Sequence, residues 1–61
     1  MIVCEKLNGA TIVINADLIE CVEETPDVMI TLQNGKKILV KTSIHEIIEK
    51  VLAYRHEVYK A

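Results

Sequence analysis

Two Asn-Gly pairs, Asn8-Gly9 and Asn34-Gly35, each stand between runs rich in Ile, Val and Leu. The dipeptide suits a two-residue type I′ turn, because both central residues of that turn need positive φ and Asn and Gly tolerate it. Each pair therefore predicts a β-hairpin. The first joins strands over 2–7 and 10–15, and the second joins strands over 28–33 and 36–41. Between the hairpins, Asn15-Ala16-Asp17 reads as a turn and 18–23 as a further short strand. Glu24-Thr25-Pro26-Asp27 reads as another turn, because Pro26 has no N–H for a ladder and fixes its own φ.

The expected architecture is thus α+β and mainly β: a five-stranded antiparallel meander, either open or curled into a small barrel-like sheet, followed by one C-terminal helix. Alternation gives the strands their faces. Ile12 and Ile14 share one parity, as do Val28, Ile30 and Leu32, and Ile38 and Val40. The opposite face is not cleanly polar, since Val13, Met29 and Leu39 fall on it. On the third strand, Ile19 with Cys21 and Leu18 with Val22 are equally good inward pairs. A sheet apolar on both sides has to be covered twice, curled, or pressed against another copy.

The helix is announced by Ser43-Ile44-His45-Glu46, which fits a capping box, with Ser43 accepting from the third helical amide and Glu46 reaching back. From there Ile44, Ile47, Ile48, Val51, Leu52, Arg55 and Tyr59 trace one stripe at i, i+3, i+4, i+7 spacing. Glu46 and Lys50 make an i, i+4 pair on the other side. The helix is expected over about 44–58.

A chain of 61 residues buries only roughly 60% of the surface its unfolded form exposes. Here 51% of the residues are hydrophobic, mostly aliphatic, with no Phe or Trp. That combination predicts apolar surface left over after folding, and hence a homo-oligomer, with a dimer as the simplest case.

The net charge of −2 leaves no basic excess for a polyanion. Lys36, Lys37 and Lys41 read as a solvated sheet edge that discourages edge pairing. The N-terminal MIVCEKLNG lacks a basic stretch followed by an apolar core, so no secretory signal is expected. No run approaches the roughly 20 apolar residues that span a bilayer. The expected location is cytoplasmic, without membrane insertion.

In that compartment Cys4 and Cys21 are not expected to pair, and without a CxxC spacing they do not form a zinc site. His45 and His56 lie about three helical turns apart, far from the spacing that pairs ligands on one face. There is no Gly-rich phosphate loop. Ser43 has a capping role, and no nucleophile, base and oxyanion donor can be assembled from what remains. The chain is expected to have no enzymatic activity, no metal and no cofactor.

One charged cluster stands out. Glu20, Glu23, Glu24 and Asp27 place four carboxylates within eight residues around Thr25-Pro26. The cluster reads either as a solvated turn that keeps the protein soluble or as an acidic ridge on a stiff loop. On the second reading Glu20, Glu23, Glu24, Thr25, Pro26 and Asp27 are the candidate partner-binding residues.

The motifs stand in a distinctive order: Leu7-Asn8-Gly9, Ile14 to Glu20, Glu24-Thr25-Pro26-Asp27, Ile30-Thr31-Leu32, Asn34-Gly35-Lys36-Lys37, Glu46-Ile47-Ile48-Glu49 and Tyr54. No single piece is specific, but the LNG, DLIE, ETPD and GKK series resembles the FlbD (SwrD-type) flagellar protein family over nearly the whole chain. Val13 and Met29 depart from that pattern, which expects an aromatic residue and a smaller β-former; both changes concern packing. The resemblance implies a role in flagellar motility, supporting motor or stator performance from the cytoplasmic side through an unidentified flagellar protein. It supplies no catalytic residues. Five short strands and a helix also match the element order of the CsrA type of RNA-binding regulator, an interlocked dimer. The basic RNA-contacting segments of that type have no counterpart here, and phosphate contacts dominate such affinity. A metal or redox module built on Cys4 and Cys21 is the remaining alternative.

Overall fold

The computed structural model describes the backbone of residues 1–59 and the side chains of residues 1–57. Five antiparallel strands precede one helix: β1 (Ile2–Glu5), β2 (Thr11–Ile14), β3 (Ile19–Glu24), β4 (Val28–Leu32), β5 (Lys37–Val40) and α1 (Ile44–Tyr59). A 3-10 turn, Ala16–Leu18, separates β2 from β3. The expected fold class holds, but the strands form two sheets instead of one meander, and no closed barrel forms among the described residues. One sheet is β1-β2 and the other is β3-β4-β5.

The break falls at the 3-10 turn. Asn15 caps it, its side-chain oxygen accepting from the Asp17 amide at 3.0 Å, while the Leu18 amide donates to the Asn15 carbonyl at 3.0 Å. These local bonds turn the chain before β3 can pair with β2. The two sheets meet elsewhere, where the end of β1 runs against the end of β5. The Lys41 amide donates to the Glu5 carbonyl at 2.7 Å, the Leu7 amide to the Leu39 carbonyl at 3.3 Å, and Lys6 bridges Val40. The Thr42 hydroxyl accepts from the Glu5 amide at 3.0 Å and completes the seam.

Both hairpins stand where the Asn-Gly pairs placed them, but their loops are longer than two residues. The Gly9 amide donates to the Lys6 carbonyl and the Lys6 amide to the Ala10 carbonyl. The second hairpin repeats this pattern with Gly35, Leu32 and Lys36. Among the described residues only the two glycines have positive φ, +89° in each case. This is the three-residue loop in which an ordinary turn is followed by one left-handed residue. Asn therefore serves by another route: the side-chain oxygens of Asn8 and Asn34 accept from the Ala10 and Lys36 amides, each at 2.9 Å.

The core lies between the inner faces of the sheets and α1. Ile2, Cys4 and Ile14 from the first sheet meet Val28, Ile30, Ile38 and Val40 from the second, with Ala16 and Ile47 closing the cluster. Val13 and Leu39 are exposed on the outer faces, as the alternation required, and Met29 is half-buried there. On β3 a register shift between Ile19 and Cys21 leaves Glu20 as an extra residue. A bulge of this kind resets the alternation, so Ile19 and Val22 both pack inward while Leu18 and Cys21 are exposed. Neither same-parity pairing expected for β3 is the one adopted.

The helix begins at the expected cap, with Ser43 Oγ accepting from the Glu46 amide at 3.1 Å, but among the described residues no return bond joins the Glu46 side chain to the Ser43 amide. Glu46 also pairs with Lys50 at 3.8 Å. The contact stripe is narrower than the pattern suggested. Ile47 is buried, and Ile44, Val51 and Tyr54 are half-buried, but Ile48, Leu52 and Arg55 are exposed. The Tyr59 side chain lies outside the described residues.

Candidate functional site

Glu20, Glu23, Glu24, Thr25, Pro26 and Asp27 are all exposed, but the strand does not gather the carboxylates onto one face. Beyond the bulge, Cys21 and Glu23 face outward with Met29, which lies opposite Glu23 in the register. The Cys21 thiol donates to Glu23 Oε1 at 3.9 Å, a weak contact. Glu24, two residues after Val22, falls on the other side of the strand. Glu20, freed by the bulge, turns toward α1. Thr25, Pro26 and Asp27 form the tip, where the Thr25-Pro26 peptide bond is cis and the Thr25 amide donates to the Asp27 carbonyl at 3.1 Å. The segment is therefore a tip with Glu23 on one side and Glu24 on the other, and Glu20 belongs to a different surface.

That second surface is a groove between β3 and α1. Ala16, Ile19 and Val22 form one wall, Ile47 and Val51 the floor, and Ile48 and Leu52 the outer rim, with Glu20 and Arg55 as its charged groups. Ile48 is 50% exposed and Leu52 60%. The i, i+3, i+4, i+7 spacing on α1 predicts both in the core stripe. The available signal was the width of the apolar arc on α1, which is more than one sheet contact can cover.

This groove and three other surface depressions each hold about 320–350 Å³. They stand at the lower limit of the roughly 300–1,000 Å³ typical of small-molecule sites. One of them holds Cys4 together with Thr42 and Glu46. Burial pushes the Cys4 thiol up from its ordinary value of 9.0. A Thr42 hydrogen bond and the Lys50 charge oppose that shift, and Glu46 adds to it. A thiol held protonated is a poor nucleophile and a poor metal ligand. Cys21 is exposed in the other sheet, and both cysteines are free. Among the described residues no three His, Cys, Asp or Glu side chains are grouped as a metal site. His45 and His56 are exposed on α1. Lys37 opens β5, whose outer edge meets the first sheet only from Leu39 onward, through the Leu7 amide and the Lys6–Val40 bridge, and Lys36 and Lys41 flank that strand. Among the described residues no helix is long and apolar enough to cross a membrane.

No curated protein and no solved structure is significantly similar to the chain. The family model for FlbD, the flagellar and swarming motility proteins, matches residues 1–59 and so takes in both hairpins, the bulged strand and the helix; the chain belongs to that family.

Proposed function

We propose that this protein is a non-enzymatic, cytoplasmic accessory of the flagellar system that supports motor or stator performance by binding another flagellar protein. The observation that carries the reading is membership of a motility family over residues 1–59. The surface supports binding over chemistry. Apolar side chains stand uncovered on α1 and on both outer sheet faces, while the Cys4 thiol is buried and that burial raises its pKa. An RNA-binding role of the CsrA type draws no support from the family, and the net charge of −2 opposes it.

The test is deletion of the gene in a flagellated cell, complementation with the wild-type protein, and measurement of swimming speed and motor torque. Torque is expected to fall on deletion with flagella still assembled, and in-cell crosslinking is expected to capture a motor or stator protein. Unchanged motility and torque in the deletion strain would remove the proposal.

A further inference from the structure

We infer that the groove between α1 and β3 seats a second copy of this chain, in a two-fold contact that sets Glu20 of each protomer against Arg55 of the other. Ile48 and Leu52 are four residues apart, so they form one ridge along the helix. That ridge is left uncovered beside the half-buried Ile19 and Val22. A ridge of this kind packs into the groove beside an identical helix, and here the adjoining groove is part of the same surface.

The charges identify the occupant. In a two-fold contact the same patch meets itself, so it must be self-complementary. The groove carries one acid, Glu20, and one base, Arg55, and no ion pair joins them among the described residues. A two-fold contact that sets one acid against the partner's base makes the same pairing twice over. A patch of a single sign would repel its copy.

The outer face of the larger sheet is the weaker candidate. It offers Leu39 at 46% exposure and a half-buried Met29, in a row that already includes Glu23. A standard interface of about 800 Å² per partner would take roughly a fifth of the chain's 4286 Å² surface.

This inference goes beyond the motility reading, and its test does not depend on motility. Sedimentation equilibrium of the full chain at high micromolar concentration is expected to give twice the 6.9 kDa chain mass. Arg55→Glu and Glu20→Arg, made singly, place like charges together and should each raise the dimer Kd by roughly tenfold or more. An equimolar mixture of the two variants restores opposite charges at both crossings and should return to dimer mass. Leu52→Asp should give monomer. All three side chains are exposed, so each variant should keep the parent circular dichroism spectrum. A monomeric parent overturns the inference. So does a dimer that survives both Arg55→Glu and Leu52→Asp, or a variant mixture that stays monomeric.

Discussion

The Tyr54 hydroxyl donates to Asp17 Oδ2 at 3.3 Å, joining the helix to the 3-10 turn across 37 positions of sequence. The same turn directs the chain away from β2 and into β3, so this contact holds the helix against the point where the two sheets part. Tyr54 is half-buried and its ring packs against the core cluster. Tyr54→Phe keeps the ring and removes the hydroxyl. Because the bond is long and its surroundings are exposed, the loss should lie near the low end of the usual 0.5–1.5 kcal/mol, about 0.5 kcal/mol. Tyr54→Ala should cost several times more, since the ring contact goes as well. Urea titration with an unchanged m-value would read both losses as stability changes.

Thr31 gives a prediction of the opposite sign. It sits in the central strand, buried, and its hydroxyl has no hydrogen-bond partner among the described residues. A buried unsatisfied hydroxyl costs about 1–3 kcal/mol, and Val has nearly the same shape with no polar group to satisfy. Thr31→Val is expected to stabilise the protein by about 1 kcal/mol, a rise in Tm of about 4–8 °C for a domain of this size. A lower Tm on thermal melting would mean that the hydroxyl is satisfied in solution.

Cys4 sets an alkaline limit. Its thiol is raised above the ordinary 9.0, chiefly by burial. In the unfolded chain Cys4 loses its proton as the pH passes about 9, while the folded chain still holds it. The folded state then binds more protons, and stability falls as pH rises. The stabilisation is fully present below the unfolded value and is lost as pH climbs from there through the folded value. Cys4→Ala should flatten that decline, at the cost of a smaller core side chain at all pH values. At neutral pH, iodoacetamide should label Cys21 quickly and Cys4 only after denaturant is added, which mass spectrometry would resolve.

Much of this fold is legible in the sequence because local chemistry decides it. Gly9 and Gly35 mark the hairpins, Ser43 marks the start of the helix, and the alternation of Val28, Ile30 and Leu32 marks the inner face of β4. The rest depends on contacts between segments distant in sequence. Nothing around Glu20 announces a bulge, yet the bulge decides that Ile19 and Val22 share a face and that Glu20 turns toward the helix. Apart from the Thr42 hydroxyl, the join of β1 to β5 rests on backbone bonds, Lys41 to Glu5 and Leu7 to Leu39, which leave no mark on side-chain choice. The same holds for the surface. The acidic segment could be counted from the sequence, but its division between two faces could not.

That division sharpens the final prediction. Glu23 and Asp27 are exposed, and no hydrogen bond to the Asp27 side chain occurs among the described residues; Glu23 accepts only the weak Cys21 contact. Surface charges of this kind change stability by no more than about 0.5 kcal/mol. Reversing both to Lys should therefore leave the melting curve unchanged while converting an acidic tip into a basic one. If this tip is where a flagellar partner docks, charge complementarity governs its capture rate and its choice. The double variant should then lower swimming speed and partner capture, with salt weakening capture by the parent protein. Glu24→Gln, on the other side of the strand, should have the smaller effect because it removes one charge without reversing it. A double variant that melts and swims like the parent would show that Glu23 and Asp27 serve only to keep the turn solvated.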